Sequence, residues 1–130
     1  MNASFIRLAR RAVTLLAFVA ALAGCAGVHE YTTGVPARDS ERFYASLTAA
    51  AEERGNRPYT PANGGMTVDC GDNGSLMYSV EKGAIVVRTY PSQSGTDAEI
   101  QARAKALREE HLAMMEAARA QADANRAFSY

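Results

Sequence analysis

Between residues 66 and 90 the sequence alternates between apolar and polar side chains, and this alternation limits the possible folds more than any other feature. A period of two is typical of β-strands that bury one face. Turn-forming residues, among them Gly74 and Gly83, interrupt the pattern twice. We therefore predict three consecutive strands in an antiparallel meander, at residues 66–70, 75–80 and 84–90.

The register of these strands follows from keeping the apolar side chains on one face. A three-residue loop that ends on Gly74, in a left-handed conformation, places Cys70 opposite Leu76. The second connection places Val80 opposite Ile85. The predicted buried face then consists of Met66, Val68, Cys70, Leu76, Tyr78, Val80, Ile85 and Val87.

Helical periodicity predicts one helix before this meander and one after it. The first helix covers residues 40–54 and ends at Gly55, as expected for a C-terminal glycine. The second starts at a capping box, Thr96-Asp97-Ala98-Glu99, and extends from residue 97 to about residue 126. Their predicted buried stripes are Phe43, Leu47, Ala50 and Ala51 in the first helix, and Ile100, Ala104, Leu107, His111, Met114 and Ala118 in the second.

These elements predict an α+β fold, a two-layer sandwich with the order α-β-β-β-α. A three-stranded antiparallel meander forms one layer, and both helices lie on one of its faces. A single small domain, residues 39–130, contains all of these elements. The second helix is too long for such a sheet, so its C-terminal half is expected to project.

The first 25 residues have the pattern of an export signal. Arg7, Arg10 and Arg11 give a basic start, and the apolar run at residues 12–21 is too short to span a bilayer core of about 30 Å. Leu22-Ala23-Gly24-Cys25 follows this run. These four residues resemble the lipobox of bacterial lipoproteins.

The resemblance implies that residues 1–24 are a lipoprotein signal peptide and that Cys25 becomes the lipidated N-terminus, carrying acyl chains such as palmitate. Two or more acyl chains hold a protein stably on a membrane. In this family an Asp after the cysteine favours the inner membrane, so Ala26 implies the periplasmic face of the outer membrane. In a Gram-positive source the same anchor implies the exterior of the plasma membrane. An ordinary secretory signal and an uncleaved signal anchor are the alternatives.

Residues 25–38 are predicted to be the lipidated N-terminus and a tether. The segment contains Gly27, Gly34 and Pro36, which break regular structure, and its apolar residues follow neither a helical nor a strand period. Extended, the thirteen residues after Cys25 reach at most about 45 Å. The domain is therefore expected to stay near the membrane. His29 is interpreted as a solvated side chain of this tether.

Charge limits the possible partners. Three of the 14 basic residues lie in the signal, so the remaining chain carries 11 basic and 14 acidic residues and a formal charge of −3. Such a domain has neither the basic surface of a nucleic-acid-binding protein nor a polybasic patch for anionic lipid. We expect membrane attachment through the lipid on Cys25 and no nucleic-acid partner.

No motif predicts catalysis, a metal site or a cofactor. The segment at residues 69–74 fits a hairpin turn, and it lacks the spacing of a calcium loop. His111 has no second histidine at zinc spacing and no nucleophile that can be placed beside it, and Glu109 and Glu110 are interpreted as solvated helix charges. We therefore expect no enzymatic activity.

Cys70 is the only thiol that remains once Cys25 is lipidated, so an intramolecular disulfide is excluded. Its position on the inward face of the first strand favours a buried structural thiol. An intermolecular disulfide and a reactive site are the alternatives.

The water-facing side of the sheet is the candidate partner-binding face. It is expected to display Met77, Val86, Arg88 and Tyr90, an apolar centre with arginine and tyrosine nearby, as is favoured at protein interfaces. Scattered surface hydrophobes are the alternative interpretation. The sequence thus predicts a non-enzymatic interaction or accessory module of the cell envelope, with an envelope protein as the candidate partner. A binding module for a small envelope ligand, or an enzyme whose site the sequence does not reveal, are the alternatives.

Overall fold

A computed structural model describes residues 26–127, with side chains described through Ala124. The predicted signal peptide, the lipobox with Cys25, and residues 128–130 lie outside this part of the chain. The elements in chain order are β1 (His29–Pro36), α1 (Ser40–Glu53), β2 (Arg57–Tyr59), β3 (Met66–Asp69), β4 (Gly74–Glu81), β5 (Ala84–Pro91) and α2 (Asp97–Ala127). Short 3₁₀ turns at Ala37–Asp39 and Gly71–Asn73 precede α1 and β4.

The strands form one antiparallel sheet in the order β1-β5-β4-β3-β2. Both helices contribute to a single hydrophobic core against one face of this sheet. The predicted α+β class with an antiparallel sheet and two helices is therefore confirmed. The three-stranded meander in the order α-β-β-β-α is incomplete, because a further strand flanks it on each side and β1 precedes the first helix.

The first added strand, β1, occupies the segment that was predicted to be a tether. It pairs with β5, with Tyr31 opposite Val87, and both Tyr31 and Val35 pack against the core. Aromatic and β-branched residues are frequent here, and their preference for a pleated, half-buried surface outweighs the breaking effect of Gly34. Gly34 instead lies at a shift of register, with a φ of 77°.

The second added strand, β2, lies in the segment between the first helix and the meander, where no strand was predicted. Its three residues pair with β3, with Pro58 opposite Val68. A proline cannot donate a hydrogen bond within a sheet, and β2 accommodates it because it is an edge strand. The proline made this segment resemble a loop in the sequence.

The predicted register between β3 and β4 is wrong by two residues. Leu76 lies opposite Val68 rather than Cys70, because the loop consists of Gly71–Asn73 and not of residues 72–74. The left-handed glycine is Gly71, with a φ of 72°. Gly74 instead begins β4, at a φ of 120°, and pairs with Pro91 of β5. A shift of two residues preserves the pleat, so each side chain keeps its predicted face.

The predicted register between β4 and β5 is confirmed. Val80 lies opposite Ile85, and Tyr78 lies opposite Val87. Lys82 and Gly83 both have positive φ, of 53° and 81°. This is the geometry of the type I′ turn, which matches the twist of a hairpin.

Six of the eight residues of the predicted buried face are buried: Met66, Val68, Leu76, Tyr78, Ile85 and Val87. Cys70 is only half-buried, because it lies past the end of β3. Val80 is 46% exposed. β3 begins at Met66, which pairs with Tyr78 of β4. Val80 lies two residues further along β4, so it has no neighbour on β3.

Both helices follow the predicted pattern. All four residues of the predicted stripe in α1 are buried, and all six residues of the predicted stripe in α2 are buried as well. The capping box is formed, since the Glu99 N–H donates to the Thr96 hydroxyl at 3.2 Å and the Thr96 N–H donates to the Glu99 carboxylate at 3.3 Å. Among the side chains of α2 that the structure describes, which end at Ala124, Ala118 is the last buried one, and the turn after it extends beyond the core.

Gly74→Ala is expected to destabilise the domain, because a Cβ there would collide with the Tyr90 carbonyl oxygen. Gly55→Ala is the matched control, since Gly55 also has a positive φ but no atom lies within 4 Å of the place that a Cβ would take. We expect Gly74→Ala to cost about 2 kcal/mol more than the control. Denaturant unfolding of both variants measures this difference, and equal midpoints would contradict the close approach of β4 and β5.

Candidate interaction surface

The face of the sheet opposite the helices has no covering layer among the described residues. Strand alternation places on it the four residues of the predicted partner-binding face, Met77, Val86, Arg88 and Tyr90. It also carries Tyr59 of β2 and Thr67 of β3, which are neighbours across those strands. We call these six residues the open face.

A continuous cross-strand row forms the middle of the open face. Tyr59 lies opposite Thr67, Thr67 opposite Met77, and Met77 opposite Arg88. Thr67 is only 3% exposed and Met77 is half-buried, whereas Tyr59 is 54% exposed at the sheet edge. The row therefore has a close-packed centre and an aromatic end that is accessible to a partner.

Arg88 is held in place by two carboxylates. Its guanidinium lies 2.7 Å from a carboxylate oxygen of Glu81 and 3.3 Å from one of Glu30. The hydrogen bond from Arg88 is the main cause that lowers the pKa of Glu81. Arg88 is thus a fixed, paired cation rather than a mobile surface charge.

The remaining members of the open face lie on either side of this row. Val86 is half-buried and lies between Ser79 of β4 and Thr32 of β1, two short polar side chains. Tyr90 is 37% exposed, next to Ser75. Sequence reasoning missed Tyr59, because the signal for β2 is a three-residue strand that contains a proline.

Inside the domain, the sheet is linked to α2 by a buried polar pair. The Tyr78 hydroxyl and His111 Nδ1 share a hydrogen bond of 2.7 Å, and the two residues are 0% and 4% exposed. Burial lowers the pKa of His111 to about 4 and raises the pKa of Tyr78. Both groups are therefore neutral at neutral pH, and the histidine is a packed core residue.

A second polar link joins the C-terminal end of α1 to α2. Arg54 and Asn56 both donate to the Glu110 carboxylate, at 3.0 Å from Arg54 Nη2 and 2.9 Å from Asn56 Nδ2. The hydrogen bond from Arg54 is the main cause that lowers the pKa of Glu110. Glu110, which was predicted to be a solvated helix charge, instead connects the two helices.

Cys70 lies near this cluster at the end of β3. Burial, with smaller contributions from Glu110 and Asp69, raises the pKa of its thiol to about 12. Its Sγ lies 3.7 Å from the Val68 carbonyl oxygen. At neutral pH Cys70 is thus a protonated thiol, which is a poor nucleophile and a poor metal ligand.

A groove of about 320 Å³ lies at the other end of the domain, between β1, α1 and α2. Phe43, Met115 and Ala118 contribute apolar lining, and Asp39, Arg42 and Arg119 contribute charged lining. This volume is at the lower end of the range for small-molecule sites. No sequence pattern indicates this groove, because its residues come from three separate elements.

Within residues 26–127 no group of three or more His, Cys, Asp or Glu side chains is placed to hold a metal ion. In the same part of the chain no helix combines the length and the apolar character needed to cross a membrane. Comparison with family models, with curated proteins and with solved structures finds no match.

His111 is expected to make stability depend on pH. Its pKa is about 4 in the folded domain against 6.5 as the ordinary value, so the unfolded chain binds the proton first. The stabilisation that comes from keeping His111 neutral is complete above pH 6.5. As the pH falls towards 4 it is lost, and the free energy of unfolding falls by about 3 kcal/mol. Urea unfolding of the wild type and of His111→Gln at several pH values measures it. The wild type should lose more stability than the variant over this interval, and parallel curves would contradict a neutral buried histidine.

Proposed function

We propose that this protein is a non-enzymatic envelope lipoprotein, anchored through lipid on Cys25 at the periplasmic face of the outer membrane, that binds an envelope protein through its open face. The anchor is supported by the lipobox resemblance of residues 22–25. The binding role rests on one observation. Among residues 26–127, helices cover one face of the five-stranded sheet only, and the other face combines a half-buried apolar centre with accessible tyrosines.

The chemistry of the open face favours a protein partner. Tyrosine and arginine are enriched among the residues that contribute most to binding between proteins. The pairing of Arg88 fixes its side chain before a partner arrives, so less side-chain entropy is lost on binding. The alternative surface on the long helix is weaker, because Met114 and Ala118 are buried in the core.

A second candidate function is the binding of a small envelope ligand in the groove between β1, α1 and α2. The observation in its favour is the combination of an apolar lining with two arginines, Arg42 and Arg119, against one acidic residue, Asp39. This combination suits an amphiphile with an anionic group. The groove and the open face lie on different sides of the sheet, so variants of one leave the other intact.

The anchor is tested with Cys25→Ser expressed in a Gram-negative host. Because the lipid is attached through the Cys25 thiol, the variant is expected to stay unlipidated and to leave the detergent phase of a phase-separation assay. Mass spectrometry of the N-terminal peptide of the wild type should show the acyl chains. Equal partitioning of the two proteins, with no acyl mass on the wild type, would contradict the lipoprotein assignment.

The open face is tested with Val86→Asp. Aspartate at this position lies between two polar neighbours and two residues from Arg88, so the fold should tolerate it. If Val86 loses water on binding, crosslinking to the envelope partner should fall about fivefold or more, which corresponds to about 1 kcal/mol. Quantitative crosslinking in intact envelopes measures this loss.

Two controls accompany this experiment. Val86→Thr keeps the shape of the side chain and should lose less crosslinking than Val86→Asp. Val87→Asp buries an unpaired charge in the core and should unfold the domain. Its crosslinking yield shows what a misfolded variant gives in this assay. Undiminished crosslinking of a folded Val86→Asp protein would show that the open face is not the interface.

A further inference from the structure

The chain is fixed to the domain from its first described residues. The Ala26 carbonyl oxygen accepts a hydrogen bond from Gln93 Nε2 at 2.9 Å, and the Gly27 carbonyl oxygen accepts one from the Thr89 hydroxyl at 3.0 Å. The same hydroxyl accepts from the His29 N–H at 3.2 Å. Thr89 is 0% exposed, so this contact is buried within the domain.

Gly27 fits a position that admits no side chain. It is buried and has a φ of 77°, and a Cβ there would lie 2.8 Å from Pro91 Cγ and 3.2 Å from Ala104 Cβ. The backbone at this point is thus pressed against β5 and α2. Only one residue, Ala26, separates this packed glycine from Cys25, which leaves no length for a flexible leash.

The elements near Ala26 define one end of the domain. The start of α2 lies here, since a Cβ on Gly27 would lie 3.2 Å from Ala104 Cβ and 3.5 Å from Ile100 Cγ2, in the first turns of the helix. The loop after β5 lies here as well, and it is joined to the β3–β4 loop by a hydrogen bond from the Ser92 N–H to the Asn73 carbonyl oxygen. We call this end the proximal end.

The opposite end of the domain lies where β1 ends and where β4 turns into β5. β1 extends eight residues away from Val28, about 26 Å at 3.3 Å per residue. The chain then meets the β4–β5 turn, where the Ala37 N–H donates to the Gly83 carbonyl oxygen. From its start at the proximal end, α2 runs 31 residues, about 46 Å, past this distal end.

We propose that the proximal end rests directly on the lipid headgroups, so that the domain stands on the membrane without a tether and α2 points away from it. This inference rests on the proposed lipidation of Cys25. The occupant of the proximal end is then a lipid surface. The groove between the helices and β1, and the projecting end of α2, face away from the membrane.

The chemistry of the proximal end fits contact with headgroups rather than insertion. The loop after β5 carries Ser92, Gln93, Ser94 and Thr96, which are polar and uncharged, and the exposed charged side chains beside it at this end are Asp72, Asp97 and Glu99. None of the large exposed hydrophobic side chains of the described domain lies in this loop.

The test uses the absence of tryptophan from the chain. Ser94→Trp places a single tryptophan at the proximal end, and Arg38→Trp places one at the distal end, both at exposed positions. Each full-length lipidated protein is reconstituted into phosphatidylcholine vesicles that contain a lipid with a nitroxide on its headgroup. About 26 Å of β1 separates the two sites. The nitroxide should therefore quench the tryptophan fluorescence of Ser94→Trp at least about twofold more strongly than that of Arg38→Trp.

The matched control inserts 20 Gly and Ser residues between Cys25 and Ala26. Such an insert spans about 25 Å and should bring the quenching of the two sites close to equal. Acyl mass on the N-terminal peptide is recorded first, so that loss of the anchor is distinguished from a wrong orientation. Equal quenching of the two sites in an acylated protein without the insert would overturn the proposal, and so would a ratio that the insert leaves unchanged.

Discussion

The architecture depends on the contacts of one side chain, Tyr78, at the centre of the inner face of the sheet. Its ring lies 6.0 Å from that of Phe43 in α1 and 5.5 Å from that of His111 in α2, and its hydroxyl is bonded to the histidine. The sheet and both helices therefore meet at one buried residue. A buried hydroxyl without a partner is costly, so the hydrogen bond also fixes the rotation of α2 over the sheet.

The strongly periodic parts of the sequence predicted their structure well. The helix stripes, the capping box and the hairpin at Lys82 and Gly83 are all local patterns, and each leads to one geometry. The β3–β4 register was mispredicted because Gly71 and Gly74 are both able to take a positive φ. The choice between them depends on the close approach of Gly74 to the Tyr90 carbonyl oxygen, a contact that no local pattern reveals.

The edge strands were missed for a related reason. β1 pairs with β5, which is distant in sequence, whereas β2 is only three residues long, and each of the two strands contains a proline. The prediction of the candidate site was incomplete for the same reason. Strand alternation predicted that Met77, Val86, Arg88 and Tyr90 share a face, whereas Tyr59 and the ion pair between Arg88 and Glu30 depend on the edge strands.

The two edges of the sheet bear on how the protein behaves when it is crowded. Exposed strand edges invite pairing between copies of a protein. Here one edge is only three residues long and carries Pro58, while the other is broken by Gly34 and ends in Pro36. Both edges are thus poor templates for another strand, which favours separate molecules over aggregates when the protein is concentrated.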